Sequence, residues 1–194
     1  MNIRFANKND DAKVLAKLIY ETDVYIYPYW FDDKSFGIEQ IAKLIKNPDS
    51  IFYYENCVVA EVDAEIIGVI MFYKNDGSYN CDYNDISSIS FESAHVIHNY
   101  VLDLQNQIKD NTYYVFAVRV EDGFLRQGVA CKMFDFVFSS VLKNSIIEID
   151  VLKDNIPALN LYKKVGFKIV KEYKGYNGYK KRKPLCYSML KVIK

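Results

Sequence analysis

Two stretches of this 194-residue chain carry residue types at spacings that chemistry could use. The first is YYVFAVRVEDGFLRQGVACKMF, Tyr113 to Phe134. An apolar run fit for a buried strand leads into a turn holding Leu125, Arg126, Gln127 and Gly128. A helical pattern starts immediately after, through Val129 and Ala130. The first turn of a helix has N–H groups without intrahelical partners and the positive end of the dipole, so it attracts an anion. Gly128 lets the backbone approach such an anion closely, and Ala130 keeps the next approach small. The stretch lacks the Gly-Lys-Ser/Thr ending of a nucleotide P-loop and lacks GxGxxG, which excludes those two ways of holding phosphate. The second stretch is EIDVLKDNIPALNLYKKVGF, Glu148 to Phe167. Here a strand ends, Asn155 brings an amide to a helix entrance, and Ala158 and Tyr162 share one helical face. A phenol in that position is either a proton donor or a packed aromatic.

Strands and helices must hold these stretches in place. Ile3–Ala6 reads as a first strand, and Asn9 and Asp10 can cap a helix with an apolar stripe of Ala12, Leu15, Ala16 and Ile19. Val24–Phe31, VYIYPYWF, contains Pro28 and reads as an aromatic loop. A second helix follows Ser35, with Ile38, Ile41, Ala42 and Ile45 on one face, and stops at Asn47-Pro48. Cys57–Val62 and Ile66–Tyr73 read as a hairpin turning at Asp63-Ala64-Glu65. Lys74–Ser90 reads as a polar loop and Glu92–Ile108 as a helix. Then come a strand (Tyr113–Val120), a helix (Gly128–Leu142), a strand (Ile146–Val151), a short helix ending before Gly166, and a strand (Phe167–Tyr173). A basic loop (Lys174–Pro184) and a last strand (Leu185–Val192) complete the chain. The order β-α-α-β-β-α-β-α-β-α-β-β predicts an α/β fold, an α+β type mixed sheet of six to seven strands with helices on both faces. Residues 1–194 show no linker or repeat, so one domain is expected.

Composition narrows the partners. Lys plus Arg equals 25 and Asp plus Glu equals 25, a balance that argues against nucleic acid or an anionic membrane as the main partner. The longest apolar run, Ile66–Tyr73, has about eight residues, against roughly 18–20 for a bilayer span. The opening MNIRFANKND has no apolar signal region, and Cys57, Cys81, Cys131 and Cys186 have no metal or redox spacing. A cytoplasmic protein with reduced thiols is the expectation.

Together the two stretches resemble the GCN5-related N-acetyltransferase family. The family's cofactor loop, Gln/Arg-x-x-Gly-x-Gly/Ala, falls on Leu125 to Ala130. Leu125 stands where Gln or Arg is usual, and Arg126 lies one place later. The pattern Asn-x-x-Ala-x-x-Leu-Tyr-x-x-x-Gly-Phe is matched by Asn155, Ala158, Leu161, Tyr162, Gly166 and Phe167. The early strand and two helices, the IIGVIMFY hairpin and a last strand carrying Ser188-Met189-Leu190 extend the likeness over nearly the whole chain. The resemblance implies a thioester donor, most often acetyl-CoA, in a cleft where Tyr113–Val120 and Ile146–Val151 splay apart. It implies that Val118 to Val120 pair with the pantetheine arm, with the Val120 amide near the thioester oxygen. The amides of Arg126, Gln127, Gly128, Val129 and Ala130 would cradle the pyrophosphate, Asn155 would bond the pantetheine with Ala158 beside it, and Tyr162 would face the sulfur.

The implied reaction is direct attack of an amine on the thioester in a ternary complex. The acceptor would be a small-molecule or peptide amine, no metal is expected, and a homodimer remains open. An alkyl amine is nearly all protonated near pH 7.4, and freeing its lone pair costs about 4 kcal/mol. A base would help. Family members with one often carry a Glu on the strand matching Tyr113–Val120, but here no carboxylate precedes Glu121. Asp150 and Glu61 are candidates, although a carboxylate in such a place is more often structural or solvated than a base. Glu92, His95 and His98 form a third candidate, a row at a spacing of three on a predicted helix that could relay protons or simply be a polar face. The aromatic residues Tyr25, Tyr27, Tyr29, Trp30 and Phe31 would border the acceptor cleft or pack on the core. Lys180, Lys181, Arg182 and Lys183 would receive an acidic acceptor or a neighbouring chain, or lie solvated. Leu125 and the missing strand carboxylate leave an alternative, a CoA-binding sensor or regulatory module without turnover.

Overall fold

Val69, Met71 and Tyr73 face one way from their strand and Ile70 and Phe72 the other, and all five are buried. A strand buried on both faces must have helices on both, which is why it reads as an unbroken apolar run. The computed structural model describes residues 1–31, 33–76, 99, 112–174 and 184–194, and shows this arrangement. Its sheet has seven strands: β1 (Asn2–Phe5), β2 (Cys57–Val62), β3 (Glu65–Lys74), β4 (Tyr113–Val120), β5 (Ile146–Leu152), β6 (Lys168–Lys174) and β7 (Leu185–Val192). The spatial order is β1-β2-β3-β4-β5-β7-β6. Every neighbouring pair is antiparallel except β4 and β5, which run parallel. The β2–β3 turn is tighter than its sequence suggests. Only Asp63 and Ala64 form it, at φ 51° and 65°, the positive values that suit the strands' twist.

Helices α1 (Ala12–Tyr20), α2 (Ile26–Trp30) and α3 (Lys34–Leu44) cover one face. Helices α4 (Val129–Ser140) and α5 (Ile156–Lys164) cover the other. Asp11, not Asn9 or Asp10, caps α1, accepting from Lys13 N at 2.8 Å. Asp10 is drawn away by Arg4, whose guanidinium bonds it at 2.8 Å and Glu61 at 2.6 Å. The expected aromatic loop is in part α2. Tyr27, Trp30 and Phe31 are each 1% exposed, and one helical turn is what aims them inward together. Asp23 starts that turn, its Oδ1 accepting from Tyr25 N at 2.7 Å and Ile26 N at 2.8 Å. Asp33 caps α3 through Phe36 N, so that helix begins a residue before Ser35. The predicted loop over 77–90, the Glu92–Ile108 helix with His95 and His98, and the Lys180–Lys183 run lie outside the described residues, apart from Asn99, which is helical. Among the described residues no helix is long and apolar enough to cross a membrane.

Gly37 marks how tightly α1, α2 and α3 meet. A Cβ there would stand 2.7 Å from Tyr20 Cε2 and 2.9 Å from Phe31 Cδ2. Gly37→Ala should therefore lower stability by about 1 kcal/mol or more in urea unfolding, although alanine is the better helix former by roughly that amount. A more stable variant would mean that these aromatic rings yield without loss.

Candidate active site

The site begins with a miscount in the sheet. Along β3 and β4, Met71 stands opposite Ala117 and Phe72 opposite Val115, so Phe116 is an extra residue with no partner. This is a β-bulge, which bends its strand and ends regular pairing. The pleat slips with it. Tyr114, Phe116 and Ala117 pack on the α1–α3 side, whereas Val115, Val118 and Val120 pack on the α4–α5 side. On its other edge β4 pairs with β5 only through Tyr113, Tyr114 and Val115, opposite Ile147, Glu148 and Ile149. Both strands then continue, to Val120 and Leu152, without pairing. The splay opens at the bulge.

A cavity of about 90 Å³ lies on the α1–α3 side of this opening. Tyr114 and Phe116 of β4, Asp150 of β5, Tyr173 of β6 and Cys186 of β7 line it, and Thr22, Asp23 and Tyr27 close it from the α1–α2 connection. Asp150 Oδ2 accepts from the Tyr114 hydroxyl at 3.0 Å. Its Oδ1 is shielded from solvent and has no hydrogen-bond partner. Burial lifts the Asp150 pKa to about 6, against the downward pull of the Tyr173 and Tyr114 hydroxyls. That value suits a base working near neutrality. Cys186 is the nucleophile type in the same wall, but burial pushes its thiol up to about 12, so it stays protonated and unreactive.

The opposite face holds a different set. Gly128 is the N-cap of α4 at φ 79°, with no side-chain cap on the helix. A Cβ at Gly128 would meet nothing within 4 Å, so the space over this end is open. Arg126 also adopts a left-handed φ of 59°. The Val129 and Ala130 amides precede the bond from Lys132 N to Gly128 O, and helical geometry directs them out of the end. Gln127 Nε2 donates to Gly123 O at 2.9 Å and steadies the turn. Leu125 is 48% exposed. Asn155 caps α5, its Oδ1 accepting from Ala158 N at 3.3 Å. Tyr162 lies 7% exposed on α5, its ring edge-on to Phe134 and Phe167, and burial raises its pKa.

The sequence-derived residues thus divide between the faces, with Asp150 on one and Leu125 to Ala130, Asn155, Ala158 and Tyr162 on the other. Glu61 is not brought to the cleft, because it serves Arg4 at the β1–β2 edge. Tyr27 reaches the cavity, while Trp30 and Phe31 are core. Sequence reasoning missed Asp23, Tyr114, Phe116 and Tyr173. Only Asp23 carried a signal, an acidic residue just ahead of the aromatic turn that it caps. Among the described residues no group of three or more His, Cys, Asp or Glu could hold a metal.

Comparison with known proteins now decides the family. The profile of the Acetyltransferase (GNAT) family matches residues 19–167. The chain belongs to the GNAT family. A search of curated sequences finds no significant match. The N-acetyltransferase of Staphylococcus aureus Mu50 superposes at a TM-score of 0.70 with 22% identity, covering 98% of this chain and 100% of that one. Another acetyltransferase reaches 0.66 with 20% identity, covering all of both chains. The ribosomal-protein-S18-alanine N-acetyltransferase of Escherichia coli reaches 0.57 with 11% identity, covering 99% of this chain and 93% of that one. At these identities the structures establish the shared GNAT fold, and membership places the chain among acetyltransferases.

Asp150 has a consequence for stability as well as for chemistry. Its pKa is about 6 in the fold against 3.8 for a free carboxyl, so folding favours the protonated form. That contribution is complete below about pH 4 and is lost as the pH rises through 6. Asp150→Asn, which never ionises, should be more stable than wild type at pH 8 by on the order of 2 kcal/mol in urea unfolding. The advantage should fade below pH 4. Equal stability at pH 8 would mean that the carboxylate is well solvated.

Proposed function

We propose that this GNAT chain is an N-acetyltransferase that transfers acetyl from acetyl-CoA to a primary amine by direct attack. The observation that carries the reading is the splay at Phe116, with a shielded carboxylate on one side and an uncapped helix on the other. Acetyl-CoA fits the second side on this chain's own features: the open space over Gly128, the outward amides of α4 and the unpaired edge of β4 beyond Val115. When bound it supplies a thioester, an acyl group already activated for attack. Arg126, Gln127, Gly128, Val129 and Ala130 would hold the pyrophosphate through their amides. Val118 and Val120 would hold the pantetheine along β4, with Asn155 and Ala158 bordering it. Leu125 supplies no polar side chain, so phosphate binding rests on the backbone and on Arg126.

The amine enters from the α1–α2 side. Aromatic walls desolvate it, which disfavours its charged form, and Asp150 accepts its proton. We place the thioester carbonyl at the peptide groups of Phe116 and Ala117 rather than at Val120. Val120 lies four residues further along, roughly 13 Å on an extended strand, whereas the cavity with Asp150 opens at Phe116. Peptide N–H groups fixed by a bulge are donors that need no reorganisation as charge develops on the oxygen. The N–C bond forms as the C–S bond breaks. Of the two protons the ammonium loses, one leaves through Asp150 to solvent and one is matched by a proton gained at the sulfur. Tyr162, on the α5 side of the sheet, gives its proton to that sulfur, and the second proton of the ammonium restores the phenol. A direct route also agrees with the protonated Cys186 thiol, which cannot serve as an acyl carrier. The sensor alternative is weakened by Asp150, since β5 supplies the carboxylate that β4 lacks.

Two variants test the reading. Acetyl-CoA should bind wild type one-to-one in calorimetry, and Gly128→Asp should weaken it by about 100-fold or more through added bulk and negative charge. Unchanged affinity would remove the α4 entrance from the site. Tyr162→Phe should lower kcat by about 100-fold while leaving acetyl-CoA affinity nearly intact, as loss of a general acid does. Wild-type turnover would return Tyr162 to a purely packing role.

A further inference from the structure

In the proposed reaction Asp150 takes up a proton in a shielded place, and that proton needs a way out. Glu148 and Asp150 lie two residues apart on β5 and so point to the same face of the sheet. Ser188 of β7 stands directly opposite Asp150 in the β5–β7 pairing. It is 5% exposed, and its hydroxyl donates to Glu148 Oε1 at 2.6 Å. The same hydroxyl is within hydrogen-bonding reach of the Asp150 carboxyl. A hydroxyl has one proton to donate and two lone pairs to accept with. While its proton is directed at Glu148, Ser188 can meet Asp150 only as an acceptor, and an ionised Asp150 has no proton to offer. The set is one proton short, and the shielded Asp150 Oδ1 is without a hydrogen-bond partner. A proton arriving on Asp150 supplies the missing link. Glu148, by contrast, is only half-buried and keeps contact with solvent.

We propose that Ser188 and Glu148 carry the amine's proton from Asp150 to solvent. The inference rests on the acetyl-transfer reading of this site and extends it to two residues that the reaction otherwise leaves unused. The Asp150 O–H bond breaks as its proton bonds to Ser188 Oγ, and the Ser188 O–H bond breaks as that proton bonds to Glu148 Oε1. Ser188 ends neutral, its hydroxyl now turned to the restored Asp150 carboxylate. Glu148 then gives its proton to water, and the hydroxyl turns back to Glu148. These two orientations account for one hydroxyl that bonds Glu148 and also pulls the Asp150 pKa down. In this scheme neither residue touches the acceptor; both act through Asp150.

Thiol release from acetyl-CoA by the full chain tests this, with butylamine, phenethylamine, spermidine and lysine as acceptors. Glu148→Gln keeps the size of the side chain. It should lower kcat by about tenfold or more, short of the loss expected when the base itself is removed, with acceptor KM and acetyl-CoA affinity unchanged. Glu148→Ala should be equally slow. Sodium formate brings a carboxylate into the vacated space and should restore that rate, where sodium chloride at the same ionic strength does not. Ser188→Ala should also be slow, and Ser188→Thr, which keeps a hydroxyl, should stay close to wild type. Wild-type kcat in Glu148→Gln or Ser188→Ala overturns the relay. So does a Glu148→Ala that stays slow in formate, since its loss is then one of structure. Thiol release from none of the four amines by wild type overturns the transfer reading and the relay with it, whereas release that the variants leave unchanged overturns the relay alone.

Discussion

At Phe116, β4 holds one residue more than the length of β3 it faces, and the site follows from where that residue goes. Pairing with β3 resumes at Ala117 and runs to Val120, so β4 stays anchored along one edge. Pairing with β5 does not resume. The result is an opening in a continuous sheet whose far side is still fixed, with backbone groups exposed on a strand that cannot drift. Parallel strands without the bulge would have closed on each other and left no space for a reaction. The slip also turns Phe116 toward the α1–α3 side, where it becomes a wall of the cavity.

Chemistry and stability pull against each other at Asp150. Its carboxylate is buried and sits near Glu148, and both raise its pKa. The surrounding structure holds it there. Ile147, Ile149 and Val151 anchor β5 in the α4–α5 core, and β7 pairs along its whole other edge. Beyond the splay, side chains clamp β4 to α1. Arg119 bonds Asp122 at 2.9 Å and approaches Glu21 at 3.6 Å, and Lys17 pairs with Glu121 at 3.0 Å. Such exposed pairs are individually weak, but several together fix the end of α1 and hence the start of the cavity wall at Thr22 and Asp23.

Much of the fold could be read from residue patterns because burial on two faces writes itself as apolar runs and 3.6-residue stripes. The sheet strands and α4 and α5 are legible for that reason. α2 was not, since five residues are too few for a period and Pro28 argued for a loop; burial of Tyr27 and Trp30 decides its shape. The α1 cap fell on the third of three polar residues because Arg4 claims the second. The anion-attracting end of α4 was visible as Gly128 after a strand. The bulge was invisible, because YYVFAVRV is apolar at nearly every position and a slipped alternation leaves no mark. The cavity wall escaped for a related reason: Asp23, Tyr114 and Tyr173 come from three distant segments joined only by tertiary packing.

The sheet separates two working surfaces that share only the gap. One core packs α4 and α5 and the other packs α1 to α3; in the proposed reaction the first would face the donor and the second the acceptor. The acceptor wall hangs on short connections and one five-residue helix, whereas the donor side is built on longer helices. Changes of residue or length between Glu21 and Phe31 can therefore reshape what is admitted without moving Gly128 or Tyr162. Lineages built on this plan are free to exchange acceptors by altering one side of a wall, while the length of β4 is the dimension they must inherit unchanged.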